Sequence, residues 1–491
     1  MNTPLRRVAL AVMGMIVLLL ANATYIQVVS ADDYRSDPRN RRVLLDEYSR
    51  QRGQIIAGGL PVASSKDTGG QLRFTRTYLD GPLYAPVTGY YSLRYGAGGM
   101  EKAMNPVLNG SDGRLFVRRV SDLITGRDPS GGNVELTINP VVQQVAFEEL
   151  TSRGYTGSVV AIKPDTGEIL AMVSTPSYDP NRLASHDGAE QEAAWEQYTA
   201  EQNGAPLTNR AVRATYPPGS TFKLVDVAAA LENDKATPDT QLTAAPALEL
   251  ENTSTSLRNF SDNPCGSGSS ASLTEAVVRS CNTAFAELIT RVGEEDLRRQ
   301  AELLGIGRPD LTVPLPVAPS TLGDIPDTAA LQQSSIGQRD VALTPLQNAM
   351  IAATIANRGE RMEPQMVHNI LAPDLSVLDE FDAEEAGRAM SEDTADQIRD
   401  MMVAAERSYS DEGKINGVSI AAKTGTAEHG DDPKNTPPHA WYVAFAPAED
   451  PQVAIAVLVE DGGDRSLEAT GGSRAAPIGR AVIGAALQGG Q

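Results

Sequence analysis

Hydrophobic and polar positions follow three different patterns along the chain. The run from Val8 to Val29 is predominantly apolar and carries no charged side chain. This run is long enough to cross a bilayer as a helix. Residues 30 to about 135 are rich in Arg, Gly and Tyr and contain only short apolar runs broken by turn-forming residues. This second pattern predicts an irregular, β-containing region without long helices.

Residues 139 to 491 alternate between helical and strand periodicity. Asn139 and Pro140 precede apolar residues at helical spacing, which predicts a capped helix. Two short apolar runs flank the turn-forming residues 164–167 and predict a β-hairpin over 159–173. A mostly helical block follows, and the chain ends with strand-like runs at 419–428, 439–447 and 452–460 and an apolar-faced helix over Ala475 to Leu487.

This order of elements predicts an α+β fold. Strands lie at both ends of the segment and helices lie between them, so early and late strands must share one mainly antiparallel sheet. We expect the helices to pack on that sheet.

The N-terminal apolar run predicts a membrane anchor. Arg6 and Arg7 precede it and Asp32 and Asp33 follow it, which predicts a cytoplasmic N-terminus and an extracytoplasmic remainder. A cleaved signal peptide is the alternative, because Ala21-Asn22-Ala23 fits a cleavage site. The predicted organisation is a cytoplasmic tail (1–7), a transmembrane anchor (8–29), an N-terminal non-catalytic domain (30–138) and a catalytic domain (139–491).

Composition narrows the possible functions. The 63 acidic and 42 basic residues give a formal charge of −21, which argues against a nucleic-acid partner. The four histidines, His186, His368, His429 and His439, share no ligand spacing, and we interpret them as ordinary polar residues. The sequence therefore predicts no metal site and no cofactor.

The two cysteines, Cys265 and Cys281, are expected to form a disulfide because the globular part lies outside the cytoplasm. The alternative is a buried, inert Cys281 and an exposed, free Cys265. Since Cys281 lies between Ser280 and Asn282, the bond would hold that loop in place without taking part in chemistry.

Three short polar motifs are candidates for chemistry. Each has an ordinary structural explanation when taken alone, such as a helix cap or a glycine-tolerant hairpin edge. Their occurrence together, in this order, has a very low chance rate. The motifs are Ser220-x-x-Lys223, Ser280-Cys281-Asn282 and Lys423-Thr424-Gly425-Thr426.

With these motifs the chain resembles the penicillin-recognising serine acyltransferases, which comprise penicillin-binding proteins and serine β-lactamases. The tracts "TPLQNAMIAATIANRG" and "KTGTAE…HAWYVAFAP" resemble landmarks of the transpeptidase domain, and "RQRGQI" at 50–55 resembles the arginine-glycine motif in the pedestal of class B penicillin-binding proteins. Ala57-Gly58-Gly59 departs from that family pattern. The length, the single anchor and "YPPGSTFK" are most similar to the actinobacterial penicillin-binding protein A group. The resemblance implies a central antiparallel sheet with helices on both sides, joined to an extended N-terminal pedestal.

The resemblance also assigns catalytic roles. Ser220 would be the nucleophile and Lys223 its base, with the helix N-terminus, burial and the second cation Lys423 disfavouring the charged form of Lys223. Ser280 would relay a proton to the leaving amine. Asn282 would bond both Lys223 and a substrate carbonyl.

Substrate binding is assigned to the third motif. Thr424 and Thr426, with Lys423, would hold a terminal carboxylate, and Gly425 would leave room for a peptide to pair along the strand edge. By resemblance, the backbone N–H groups of Ser220 and Thr426 would form the oxyanion hole.

The function implied is that of a peptidoglycan D,D-transpeptidase. Its partners would be stem peptides ending in D-Ala-D-Ala, β-lactam antibiotics, the cytoplasmic membrane and other wall-synthesis or division proteins. A D,D-carboxypeptidase or β-lactamase-type hydrolase is one alternative, although no clearly placed carboxylate is available to activate a deacylating water. A β-lactam sensor or non-catalytic scaffold of the wall-synthesis complex is the other.

Overall fold

The computed structural model describes residues 3–30, 48–70, 72–116, 118, 124–126, 128, 130–430, 432–433, 435–463 and 466–489. The acidic pair Asp32 and Asp33 lies outside the described residues. The predicted anchor is a helix, α1 (Thr3–Thr24), continued by a π-helical turn over Tyr25–Val29. Thr3–Gln27 has a mean hydropathy of 2.1 in its most apolar window and none of that window is buried, so it is long and apolar enough to cross a membrane.

The strands of the described chain are short in the N-terminal region and longer near the C-terminus. They are β1 (Ile55–Ala57), β2 (Leu60–Asp67), β3 (Phe74–Tyr78), β4 (Tyr91–Ser92), β5 (Gly96–Ala97), β6 (Asn133–Leu136), β7 (Gly157–Ile162), β8 (Ile169–Thr175), β9 (Gln241–Thr243), β10 (Ala247–Glu249), β11 (Ser256–Arg258), β12 (Ser270–Ser272), β13 (Glu360–Met362), β14 (Val367–Leu371), β15 (Val377–Glu380), β16 (Glu385–Arg388), β17 (Ala421–Ala427), β18 (His439–Ala446) and β19 (Val453–Val459).

The α-helices after α1 are concentrated between residues 140 and 408. They are α2 (Gly81–Thr88), α3 (Gly99–Ala103), α4 (Asn105–Leu108), α5 (Pro140–Thr151), α6 (Pro180–Ala184), α7 (Gly188–Thr199), α8 (Arg210–Arg213), α9 (Lys223–Glu232), α10 (Leu273–Arg279), α11 (Asn282–Val292), α12 (Glu294–Leu303), α13 (Thr328–Ser334), α14 (Pro345–Ala356), α15 (Glu392–Ser408) and α16 (Ala476–Gly489).

The central sheet has five strands in the order β17-β18-β19-β7-β8, and every neighbouring pair is antiparallel. The predicted hairpin is β7–β8, and the three late strand-like runs are β17, β18 and β19. Val459 of β19 lies opposite Gly157 of β7, which joins the late strands to the early hairpin. The predicted sharing of one antiparallel sheet by early and late strands is confirmed.

Helices cover both faces of this sheet, as expected. Along β18, Tyr442 and Ala444 face one apolar cluster while Val443 and Phe445 face another. The first cluster is completed by α5 and α16, and the second includes α14, whose residues are all buried. A sheet buried on both faces explains why β18 and β19 are almost entirely apolar.

The structure also contains a second sheet, of which the sequence predicts only that the N-terminal region contains β-structure. Its six strands have the order β15-β14-β6-β1-β2-β3, with β1 and β6 parallel. β14 and β15 come from the C-terminal part of the chain, more than two hundred residues after β6 in sequence. Backbone hydrogen bonds therefore cross the predicted boundary at residues 138 and 139. No local pattern in β14 reveals a partner so distant, which is why the sequence does not predict this pairing.

The arginine-glycine motif forms a buried ionic cluster. Arg52 Nε lies 2.6 Å from the carboxylate of Glu101, Arg76 Nε lies 2.5 Å from it, and Glu101 is fully buried. Burial alone would raise the pKa of Glu101, but the charges of Arg76 and Arg52 lower it below its usual value. A Cβ on Gly53 would lie 1.7 Å from the Gly132 carbonyl oxygen, so only glycine fits there. This cluster holds β1 against the neighbouring helices and lies far in sequence from the three polar motifs.

Candidate active site

Ser220 lies in a tight turn immediately before α9. The turn Gly219–Thr221 is a 3-10 helix, and the α-helix begins at Lys223. The predicted helix start at Ser220 is therefore correct in place, but its first turn is wound more tightly than an α-helix. Gly219 has a φ of +55°, and a Cβ there would lie 2.7 Å from the Thr426 carbonyl oxygen. Glycine thus allows the turn to pack directly against β17.

Lys223 contacts the second motif. Its side chain is fully buried, and Nζ lies 2.8 Å from the Ser280 carbonyl oxygen and 2.7 Å from Asn282 Oδ1. A longer contact of 3.4 Å joins Nζ to Ser280 Oγ. In the part of the chain that is described, no hydrogen bond joins Lys223 to the Ser220 hydroxyl. The predicted contact between Lys223 and Asn282 is present.

Ser280 connects the two lysines. Lys423 Nζ, also fully buried, lies 2.9 Å from Ser280 Oγ and donates as well to the Thr424 carbonyl oxygen at 2.9 Å. The Ser280 hydroxyl therefore contacts Lys423 on one side and Lys223 on the other. Residues separated by 57 and 143 positions come together in one hydrogen-bonded chain.

The loop that carries Ser280 is fixed by its backbone. Ser280 ends α10 in the left-handed conformation, with φ 58° and ψ 43°, and α11 begins at Asn282. The Asn282 side-chain amide donates to the Arg258 carbonyl oxygen at 2.8 Å. The predicted interruption between two helices at this motif is confirmed.

The site strongly disfavours charge on its lysines. Burial, followed by the nearby charge of Lys423, lowers the pKa of Lys223 well below its usual value, and Asp226 opposes this shift. Burial lowers the pKa of Lys423 to about 7. Both ammonium groups are therefore able to lose a proton much more readily than lysines in water.

Asp226 is a buried acid that the sequence analysis overlooked. It lies one turn after Lys223 on α9, is fully buried, and neither carboxyl oxygen has a hydrogen-bond partner among the described residues. Burial raises the pKa of Asp226 well above its usual value, although Lys223 acts to lower it. In the sequence, burial of this acid is indicated by its position in the mostly apolar run "FKLVDVAAAL".

Replacing Asp226 by asparagine is expected to make stability less sensitive to pH. Because the folded-state pKa of Asp226 is raised, its favourable contribution is complete below the unfolded value of 3.8 and is lost as pH rises towards the folded value. The free energy of unfolding of the variant, relative to the wild type, should thus increase between about pH 4 and pH 7, by about 1.4 kcal/mol for each unit by which folding raises the pKa of Asp226. Chemical denaturation across that pH range measures this difference. The exposed Asp234→Asn is the matched control, and a difference that stays constant with pH would contradict the prediction.

The third motif lies on β17, which is an edge strand of the central sheet. A Cβ on Gly425 would lie 2.7 Å from the Pro218 carbonyl oxygen and 3.0 Å from Thr221 Cγ2. The glycine therefore makes room for the turn that carries Ser220. Thr424 and Thr426 are half-buried on the same strand.

The predicted disulfide between Cys265 and Cys281 is present. Both cysteines are buried, so the alternative of a free, exposed Cys265 is wrong. The bond attaches the 265–270 loop to the residue between Ser280 and Asn282. It therefore restrains the second motif through Cys281.

Loss of this bond is expected to cost about 3 kcal/mol of stability, the value of the chain-entropy model for a loop of this length. Cys265→Ser should also slow any covalent reaction at Ser220, because Ser280 and Asn282 are less well positioned. Thermal unfolding with and without reductant provides an internal control, since reductant should destabilise the wild type and leave the variant unchanged. Equal stability of the two oxidised proteins would contradict the prediction.

Two of the four histidines are in contact, although their spacing in the sequence does not indicate it. The rings of His429 and His439 stack at 3.7 Å with an interplanar angle of 5°, and His429 Nε2 lies 3.0 Å from Asp461. His429 follows β17 and His439 begins β18, so the pairing of these two strands brings the residues together. A metal ion must lie close to the plane of each ring that binds it, and parallel stacked rings do not meet that requirement. This cluster therefore gives no reason to revise the expectation of no metal site.

Comparison with known proteins identifies relatives of the whole chain. Residues 157–484 match a family model described as the penicillin binding protein transpeptidase domain, and residues 52–134 match one described as the penicillin binding protein A dimerisation domain. The peptidoglycan D,D-transpeptidase PbpA of Mycolicibacterium smegmatis is 58% identical over 491 residues, which cover 99% of each chain. The protein of the same name from Mycobacterium tuberculosis is 56% identical over 492 residues, covering both chains completely.

A solved structure is also similar over most of the chain. Penicillin-binding protein A from M. tuberculosis, as an acyl-enzyme complex with ceftriaxone, has a TM-score of 0.88 and 54% sequence identity. The match covers 90% of this chain and 100% of that one. A penicillin G acyl-enzyme complex of the same protein matches with a TM-score of 0.86.

Proposed function

Because this chain belongs to the penicillin-binding proteins with a transpeptidase domain, we propose that it cross-links peptidoglycan stem peptides through an acyl-enzyme on Ser220. The observation that supports this most directly is the buried chain Lys223–Ser280–Lys423 beside the turn that carries Ser220. The donor substrate is a stem peptide ending in D-Ala-D-Ala. β-Lactams, as anionic acylating agents, react at the same serine and inhibit the enzyme.

Lys223 acts as the general base in acylation. As a neutral amine it donates its two N–H groups to the Ser280 carbonyl and Asn282 Oδ1, which leaves its lone pair available. The Ser220 hydroxyl proton passes to Lys223 Nζ while Oγ attacks the carbonyl carbon of the penultimate D-Ala. The lowered pKa of Lys223 is what makes the neutral amine accessible near neutral pH.

The tetrahedral intermediate carries its negative charge on the former carbonyl oxygen. The backbone N–H groups of Ser220 and Thr426 stabilise that oxyanion, and loss of one such donor typically costs about 3 kcal/mol in the barrier. The C–N bond then breaks, and the terminal D-Ala leaves with a proton that Ser280 relays from Lys223. The products are free D-Ala and an ester between Ser220 and the shortened peptide.

The second half of the reaction transfers the acyl group to an amine. An amine of a neighbouring stem peptide loses a proton to Lys223 as its nitrogen attacks the ester carbonyl. The bond between that carbonyl carbon and Ser220 Oγ then breaks, Oγ takes the proton from Lys223, and the new amide is the cross-link. In the first half of the reaction, before D-Ala leaves, Thr424, Thr426 and Lys423 hold the terminal carboxylate of the donor, and the edge of β17 is available for an extended peptide. No cofactor is required by this chemistry.

The protein acts at the membrane surface. α1 is the single-pass anchor, with the arginines at its start in the cytoplasm and the catalytic part outside. This placement supplies the oxidising environment that suits the Cys265–Cys281 bond. Other wall-synthesis proteins are expected partners at the membrane.

An exchange assay tests the proposal with the full chain in detergent. The protein is incubated with a synthetic stem pentapeptide ending in D-Ala-D-Ala and an excess of a second D-amino acid as acceptor, and products are identified by mass spectrometry. We expect a pentapeptide in which the acceptor replaces the terminal D-Ala. Tetrapeptide alone would indicate a hydrolase, and no D-Ala release together with no penicillin labelling would indicate a non-catalytic scaffold.

Lys423→Met is expected to shift the pH dependence of acylation. The cation at Lys423 helps to lower the pKa of Lys223, so its removal should raise that pKa. The rate depends on neutral Lys223 and falls as pH falls through its pKa, so the acidic limb of the profile should move to higher pH. Acylation rates at saturating penicillin, measured from about pH 5 to pH 9, separate this effect from weaker binding. Lys414→Met, at a half-buried lysine outside the three motifs, is the control, and an unmoved acidic limb in Lys423→Met would show that the two lysines are not coupled.

A further inference from the structure

A cavity of about 450 Å³ lies between the N-terminal region and the catalytic part, and it does not include any residue of the three polar motifs. One wall comes from α2, α3 and the segment between them, and the opposite wall comes from α8 and the segments around it. Its volume is within the range that encloses a small organic molecule. Its lining includes Gly89, Tyr90, Ser174, Tyr178, Leu207 and Asn209.

The body of the cavity is apolar and already formed. The ring of Tyr90 packs edge-on against Tyr178, with centroids 6.4 Å apart, and this contact fixes an aromatic wall. The backbone of Gly89 meets that of Gly99 so closely that a Cβ on Gly99, where φ is +58°, would lie 2.5 Å from the Gly89 nitrogen. Glycine at this crossing keeps side chains out of the cavity.

Two polar side chains of the lining, Ser174 and Asn209, are occupied by the protein itself. Ser174 Oγ donates to the Thr208 carbonyl and accepts from the Arg210 N–H, each at 3.0 Å. The Asn209 amide donates to the Pro86 carbonyl at 2.7 Å. A ligand would therefore present an apolar body to the interior and its polar group elsewhere.

Two cations lie in the lining, and both are exposed: Lys102 on α3 and Arg213 at the end of α8. Among the described residues neither has an ion-pair partner, and no acidic side chain lines the cavity. The chain as a whole has 63 acidic and 42 basic residues, so an acid-free surface with two unpaired cations is unusual for it. The charge at the rim is complementary to an anion.

We propose that this cavity is a binding site for a small amphipathic anion, with an apolar one- or two-ring body inside and one acidic group between Lys102 and Arg213. The enclosed volume fits such a molecule and is too small for the paired acyl chains of a phospholipid. Because the two walls belong to different regions of the chain, the bound molecule contacts both. The site is separate from Ser220 and does not depend on the acyl transfer proposed above.

Naphthalene-2-sulfonate and naphthalene-2-sulfonamide form a matched pair of probes, because they share a body and differ in charge. Isothermal titration calorimetry of the full chain in detergent, with empty micelles subtracted, measures both affinities. We expect the sulfonate to bind at one site per chain. The double variant Lys102→Gln with Arg213→Gln should weaken sulfonate binding about tenfold, the effect expected of two rim charges, and leave sulfonamide binding unchanged.

Two further variants locate the site. Leu207→Trp should prevent binding of both probes, since the indole fills the cavity, and Lys66→Gln, an exposed lysine of the same region, should change neither affinity. Equal affinity for sulfonate and sulfonamide in the wild type, or unchanged sulfonate affinity in the double variant, would overturn the proposal. The double variant changes only exposed side chains, so it keeps the test valid if Leu207→Trp does not fold. Penicillin labelling of each variant is expected to be normal. Loss of labelling would concern the reaction at Ser220 and not the binding of the probes in this cavity.

Discussion

Ser220→Ala is expected to abolish covalent labelling by penicillin completely. The ester of the acyl-enzyme requires the Ser220 oxygen, which is the nucleophile in the proposed mechanism, with Lys223 as its base. The protein should remain folded, because the described contacts give the Ser220 hydroxyl no hydrogen bond that its removal would break. The expected result is therefore loss of reaction without loss of structure.

Fluorescent penicillin followed by denaturing electrophoresis measures the labelling, and circular dichroism with thermal unfolding verifies the fold. Ser269→Ala, at an exposed serine on the loop that precedes β12, is the matched control and should label normally. Mass spectrometry of a digest of the labelled wild type should find the adduct on the peptide containing Ser220. Labelling that persists in Ser220→Ala would assign the nucleophile to another residue.

The catalytic part of the fold is largely predictable because its signals are local. Except for β17, which carries the third motif, the strands of the central sheet are mainly apolar runs with turn-forming residues near their ends. The turn before Ser220 is specified by Pro217, Pro218 and Gly219. Antiparallel hairpins and capped helices depend on neighbours in sequence, so their patterns can be recognised without a structure. The order of elements then restricts the ways in which the strands can pair.

The features missed depend on contacts between distant residues. Val367 and its neighbours in β14 form a short strand of mixed polarity, and nothing near them in sequence indicates that the partner of Val367 is Leu136. His429 and His439 are ten positions apart without a ligand pattern, and only the pairing of β17 with β18 brings their rings together. Long-range pairing of this kind is decided by the packing of the whole molecule.

The structural role of a glycine in a motif can also differ from the one expected. Gly425 was expected to leave room for a peptide, whereas a side chain there would first meet Pro218 and Thr221 of the same molecule. For Asp226, the apolar residues around it in sequence indicate burial. That both of its carboxyl oxygens lack a hydrogen-bond partner among the described residues follows only from the packing of the whole molecule.

Lys223→Met is expected to slow acylation by about a thousandfold, the middle of the range for removal of a general base. Methionine keeps the unbranched shape of the side chain and removes only the amine, so the core around α9 should remain packed. The Ser280 carbonyl and Asn282 Oδ1 lose a donor, which should cost about 1 to 3 kcal/mol of stability. The variant is thus expected to be less stable but folded.

The acylation rate is measured by stopping mixtures of protein and fluorescent penicillin at increasing times. Lys235→Met, at an exposed lysine just after the same helix, is the matched control and should react at the wild-type rate. The pH profile supplies a readout that a purely structural role would not change. In the wild type the rate should fall as pH falls through the lowered pKa of Lys223, whereas the residual rate of Lys223→Met should have lost that acidic limb. If Lys223→Met reacts at nearly the wild-type rate, or if its rate still falls at acidic pH as in the wild type, the base is another group. Lys423 would then be the first candidate, because Ser280 connects it to the position of Lys223.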